Sequence, residues 1–219
     1  GKRGEIVKKG FSKMFLWLFI GLLITFGLGF GLSFYEKALI KVLGGYKFLI
    51  ICLVEVGVAI FFSARLQKMS KTTAIICYTL YSILTGITFG AIFVVYKLSS
   101  IMSVFLATSI VFLIFAIIGY VVKKDLSKLG MWLLMALIGT IVVSIINIFI
   151  GSSVLYTVIS IIAILIFLGY VVYDMNTAER LMEEVGEDKG AIFGAFQLYL
   201  DFINIFIRLL ELFGDLKDN

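Results

Sequence analysis

A chain of 219 residues that is 62% hydrophobic, with mean hydropathy +1.13, has too little polar surface to clothe a soluble core and reads as a polytopic membrane protein. Its 19 basic and 14 acidic residues leave a net charge of +5, but the basic residues lie between apolar runs, where they set topology rather than bind nucleic acid. The absence of histidine excludes a Ser-His dyad, an HExxH zinc site and an imidazole switch, so a pH response near neutrality falls to carboxylates held out of water.

Crossing the hydrocarbon takes about 20 apolar residues. In chain order, the runs that meet this length are Met14–Phe34, Phe48–Ala64, Ala74–Tyr96, Ile101–Val122, Met131–Ile150 and Val154–Tyr173. A further run, Ala191–Phe213, is apolar but carries ionisable groups. The runs are continuous rather than alternating, which predicts helices and not strands. The expected fold is therefore an all-α membrane protein of seven transmembrane helices in a single domain, joined by short connections. The first run lacks a small-residue cleavage site, so no cleavable signal peptide is expected. Cys52 and Cys77 lie inside apolar runs and read as small packing residues. Gly27, Gly29 and Gly31, and the pair Gly86 and Gly90 four residues apart, read as points of close helix approach.

Charge asymmetry orients the spans. Lys2, Arg3, Lys8, Lys9 and Lys13 precede the first span, and Arg65, Lys68 and Lys71 follow the second. Lys123, Lys124 and Lys128, then Arg180 and Lys189, fall on the same side, against Lys37, Lys41, Lys47, Lys97 and Lys217 on the other. The positive-inside rule then predicts a cytoplasmic N-terminus and an external C-terminus.

The last run poses the functional question. Gln197, Asp201, Asn204, Arg208, Glu211 and Asp215 are spaced by alternating steps of four and three, which makes one stripe on a helix. A charge at the centre of a membrane helix costs at least ~2.5 kcal/mol, so this helix is expected at the centre of the other six, with its stripe lining a wet route. Asn204, Arg208 and Glu211 are candidate pathway residues on this ground. Glu55 lies well inside the second span, and Arg65 lies ten residues on, roughly 15 Å along the helix. Asp174 closes the sixth span on the face that also carries Arg65. Should Asp174 and Asp201 meet, they could not both ionise cheaply: they would share a proton at low pH and repel at high pH, unless a cation or Arg65 came between them. The plain alternative is that each carboxylate pairs with an arginine and sets helix register. The acidic residues Glu179, Glu183, Glu184, Glu187 and Asp188 read as a solvated helix extension and loop, or as a mouth that concentrates cations. They do not follow EF-hand order.

The segments YVVYDMNTAE (Tyr170 to Glu179) and QLYLDFINIFIRLLELFG (Gln197 to Gly214) resemble the transmembrane Bax inhibitor motif family, as do the glutamate-bearing second span and the KKDLS run from Lys123. The resemblance implies a seven-helix fold with a central C-terminal helix and a calcium leak controlled by pH through paired aspartates. By motif match these are Asp174 and Asp201, which would also be the calcium contacts, with Arg65 as the latch to the first aspartate and Glu55 as a pore residue. No cofactor is implied; calcium is the permeant or bound ion. In eukaryotes the family is tied to protection from cell death, and some bacterial members associate with a membrane AAA protease. The expected partners are the lipid bilayer, calcium and other membrane proteins, without nucleic acid. The expected state is a monomer in a bacterial plasma membrane.

Two other readings compete with a pH-sensitive cation leak channel. An intramembrane aspartyl protease could use two membrane aspartates as an acid–base pair. Such enzymes combine a YD with a GxGD motif and a Pro-Ala-Leu element; here Tyr173 and Asp174 supply the first, Asp201 follows Leu-Tyr-Leu, and the chain has no proline. No enzymatic activity is therefore expected. A regulator that binds other membrane proteins without transporting anything is the third class, and a proton-coupled exchanger is a close cousin of the leak.

Overall fold

The computed structural model describes residues 1–218, and for residue 49 the backbone alone. In chain order the helices are α1 (Lys2–Leu32), α2 (Glu36–Leu43), α3 (Tyr46–Arg65) with a 3₁₀ turn at Leu66–Lys68, α4 (Lys71–Val95), α5 (Leu98–Val121), α6 (Ser127–Ile150), α7 (Ser153–Val185) and α8 (Glu187–Phe213). Among the described residues, seven helices are long and apolar enough to cross a membrane, and α2 is the short exception. No strand occurs among them beyond an isolated bridge between Tyr96 and Leu216.

The helix ends differ from the hydropathy runs where polar helix formers continue an apolar span. The run expected to begin at Met14 starts at Lys2. Beyond Asp174 the helix of the sixth span continues through residues 178–185, AERLMEEV, which favour helix, to Val185, as the expected extension requires. Gly186 (φ +94) then turns the chain into α8, a conformation a side chain would disfavour. The connection between the first two spans contains α2, whose Leu39 and Leu43 are one turn apart and buried, while Lys37 and Lys41, also one turn apart, lie exposed. Ser70 caps α4 by accepting a hydrogen bond from the Thr73 amide at 3.2 Å. Asn147 closes the α6–α7 turn through two 3.1 Å hydrogen bonds with the Ser152 backbone.

The helices pack as two compact units, each drawing on α7 and α8. The first holds residues 1–98, 179–199 and the tail from Leu216. In it α1 packs on α4 where glycines face the partner. A Cβ on Gly29 would stand 2.9 Å from Phe89 Cβ, and one on Gly86 would stand 3.3 Å from Thr25 Cα. Gly90 abuts Leu39 of α2 in the same way. Gly27 and Gly31, read from sequence as further contact points, lie on the exposed face of α1, where a Cβ would meet nothing within 4 Å. Gly29→Leu should accordingly lower stability by roughly 1–3 kcal/mol, whereas Gly27→Ala should be neutral or stabilising by up to about 1 kcal/mol. Thermal unfolding of the two variants in detergent checks the pair.

The N-terminal half of α8 carries the aromatic core of this unit. Phe196 is fully buried between Phe62 (4.5 Å between ring centroids), Tyr81 (5.1 Å) and Tyr78 (6.3 Å).

The second unit holds residues 99–178 and 200–215. Here Phe202 of α8 sits against Phe105 and Phe112 of α5, at 5.4 and 5.5 Å. Most residues of α8 are buried, whereas most residues of the other six long helices are not. A helix bearing charges at membrane depth has to be enclosed in this way.

Candidate functional site

The second unit brings Asp174 and Asp201 together. They are 6% and 4% exposed, and their carboxyl groups lie within hydrogen-bonding reach of each other. Two carboxylates can share a hydrogen bond only when one of them supplies the proton. The Oδ2 atom of Asp201 is buried and has no hydrogen-bond partner among the described residues. Tyr170 stands one turn before Asp174 on α7.

Three contacts fix α7 at this level. Gly119 of α5 lets the helices meet at backbone distance: a Cβ there would lie 2.4 Å from the Val172 carbonyl oxygen and 2.9 Å from Met175 Cβ. Gly130 of α6 receives the Tyr173 ring, whose Cε2 atom would be 2.5 Å from an added Cβ. The Asn176 side-chain amide donates to the carbonyls of Val122 (2.8 Å) and Lys124 (3.1 Å), so it satisfies the free end of α5. These residues hold the segment that carries Asp174, and neither hydropathy nor charge spacing marks Gly119, Gly130 or Asn176. Asn176 stands inside the quoted YVVYDMNTAE motif, and that proximity was the available signal.

The rest of the stripe divides. The Asn204 amide turns back on its own helix and donates to the Leu200 carbonyl at 2.7 Å. Arg208 Nη1 is 3.5 Å from Glu211 Oε2 and 3.5 Å from Ser160 Oγ, and the Tyr156 hydroxyl donates to Glu211. Arg208 and Glu211 thus pair with each other and tie α8 to the start of α7. Asp215 lies beyond Phe213, the last residue of α8, so the helical stripe ends at Glu211.

Glu55 and Arg65 belong to the first unit, both on α3. Glu55 is half-buried and accepts from the Thr88 hydroxyl at 3.4 Å, while Arg65 ends its helix exposed. In the same unit, buried hydroxyls link α8 to α1 and α4: Tyr199 meets Thr25, whose Oγ1 donates to the Ser82 carbonyl at 2.9 Å.

The acidic connection before α8 is engaged by basic side chains. Arg3 meets Glu183 at 2.6 Å, and Lys13 meets Glu187 at 3.1 Å and Asp188 at 2.7 Å. Lys71 reaches Asp188 at 3.2 Å, and Lys189 donates to the carbonyls of Gln67 and Met69. The N-terminus, the α3–α4 connection and the α7–α8 connection therefore meet at one end of the first unit, as an odd-even helix order requires. The helix extension expected at Glu179–Glu184 is present, whereas Glu187 and Asp188, expected in a loop, open α8; Glu183, Glu187 and Asp188 pair with the N-terminal helix, and Asp188 also with α4.

Among the described residues no three Asp, Glu, Cys or His side chains gather as a metal cage. The arrangement at Asp174 and Asp201 can hold one proton between two oxygens, or offer two carboxylates to a cation that brings its remaining ligands as water or backbone carbonyls.

The family described as the inhibitor of apoptosis-promoting Bax1 matches residues 7–218. The inner membrane protein YbhL of Escherichia coli K12 is 33% identical over 211 residues, 93% of this chain and 90% of the relative. An uncharacterized protein of Borreliella burgdorferi is 34% identical over 227 residues, 100% of this chain and 97% of its own length. An uncharacterized membrane protein of Streptococcus pyogenes serotype M1 is 37% identical over 160 residues, 72% and 70% of the two chains.

Proposed function

This chain belongs to the Bax inhibitor family of integral membrane proteins, and on that premise we propose that it is a pH-sensitive cation leak channel whose favoured ion is Ca²⁺. The observation that carries this reading is the mutual reach of two buried carboxyl groups, one of which keeps an oxygen unpartnered. The shared proton is the gate. While it is present, Asp174 and Asp201 hold α7 and α8 together. As pH rises the proton leaves, two like charges face each other in a place poor in water, and the contact parts or admits a cation. Oxygen ligands of this kind suit Ca²⁺. In this reading α8 is the central polar helix, Arg65 is the latch and Glu55, Asn204, Arg208 and Glu211 belong to the ion pathway. The protein acts as a monomer without enzymatic activity. Its N-terminus is cytoplasmic, supported by the distribution of lysine and arginine, and its membrane is the bacterial inner membrane, supported by the relative that bears that name.

The test is Ca²⁺ flux through the purified chain in proteoliposomes, read from acid to mildly alkaline pH. The leak should be small at acid pH and rise as the proton is lost. A leak that ignores pH overturns the gate. A silent assay with the fold intact overturns transport and selects the regulator reading, and cleavage of a transmembrane peptide that is lost in either aspartate variant selects the protease.

A further inference from the structure

The second unit carries a second polar feature that neither the gate nor the leak uses. A groove of about 510 Å³ runs between the start of α5 and the end of α8. Its upper rim is polar, made by Ser99, Ser103 and Asp215, and its floor is apolar, made by Ala107, Val111 and Leu209. Ser100 sets the rim by accepting a hydrogen bond from the Asp215 amide at 2.9 Å, which brings the chain past α8 against the first turn of α5. The Asp215 carboxylate has no partner among the described residues.

We propose that this groove binds one phospholipid with a primary-ammonium headgroup, of the phosphatidylethanolamine class. Depth, direction and charge favour that occupant. From Ser99 to Val111 the groove follows α5 for twelve residues, about 18 Å, and one leaflet of hydrocarbon is about 15 Å deep. The polar rim at the start of a membrane-spanning helix stands at the headgroup level, so Val111 stands near the bilayer midplane. The groove opens on the outward face of α5, where Met102, Leu106 and Ile110 are 64%, 61% and 53% exposed, a surface that acyl chains cover in a bilayer. Between those large side chains and α8, the small side chains of Ser103 and Ala107 leave the furrow an acyl chain needs. At the rim a phosphate oxygen can accept from the Ser99 and Ser103 hydroxyls beside the free amides of the first turn of α5. The ammonium group then donates to Asp215, a charge-assisted contact that a headgroup without N–H cannot make.

The full chain, purified and stripped of lipid in detergent, would be titrated in native mass spectrometry with phosphatidylethanolamine, phosphatidylcholine and phosphatidylglycerol of identical acyl chains. One ethanolamine lipid should bind about tenfold more tightly than the choline lipid. Asp215→Asn should erase that preference, and Asp215→Lys should transfer it to phosphatidylglycerol. Both changes fall at an exposed position past the helix end, so the fold survives them. Ala107→Leu, which fills the furrow, should weaken retention of all three lipids. Equal binding of ethanolamine and choline lipids by the native chain, or a preference that persists in Asp215→Asn, overturns the proposal. Selective capture of Ca²⁺ at Asp215 with no lipid preference assigns the site to a cation and overturns it as well. The outcome is independent of whether the chain leaks calcium.

Discussion

Asp201→Asn should hold the calcium leak low across the whole pH range, at least about tenfold below the native protein at alkaline pH. In the proposed gate the contact depends on a proton that either carboxyl group can supply, so it would hold at low pH and part as pH rises. An asparagine amide carries N–H donors that do not titrate. It therefore keeps donating to the Asp174 carboxylate after the native pair would have separated. Asp174→Asn offers the same donor from the other helix and should give the same flat, low profile. Asp201→Leu behaves differently: it removes the partner and leaves Asp174 as a buried carboxyl group without a hydrogen-bond partner on α8, so α7 and α8 lose this contact at every pH and the fold weakens. Flux measured on the three variants, with unfolding followed in parallel, separates gating from stability. Should both asparagine variants keep the native rise of leak with pH, the proton resides elsewhere and these two aspartates are structural.

Phe196→Ala should be among the most destabilising single substitutions in the first unit. The ring is fully buried and makes edge contacts with Phe62, Tyr81 and Tyr78, which come from α3 and α4. Loss of a buried phenylalanine costs roughly 3–5 kcal/mol in a soluble core. Here the expected loss is at the lower end of that range, because the unfolded side chain of a membrane protein remains in lipid and forfeits packing rather than water avoidance. Denaturant or thermal unfolding in detergent measures it. A loss below about 1 kcal/mol would mean that lipid or detergent fills the space, and that the N-terminal half of α8 is not enclosed.

Much of the architecture is legible in hydropathy alone. The seven spans follow from continuous apolar runs near 20 residues long, and the burial of α8 follows from the cost of leaving its stripe in hydrocarbon. The members of the stripe, in contrast, look alike in sequence and have separate fates. Asp201 meets Asp174, Arg208 meets Glu211, and Asn204 bonds its own backbone. Periodicity places side chains on a face, but it does not say what stands opposite each turn. The first-span glycines make the same point: Gly29 faces α4 and Gly27 faces outward, although they are two residues apart.

Length and hydropathy are local properties, set by the solvent a segment must enter, and so the chain alone decided that this is a helical membrane protein. Partnership is a distance between segments far apart along the chain, and no local property encodes it. That Asp174 and Asp201 touch depended on Gly119 admitting α7 to backbone contact with α5 and on Asn176 closing the end of α5. The groove at Asp215 likewise exists because small side chains of α5 happen to face the end of α8, a matter that packing settled.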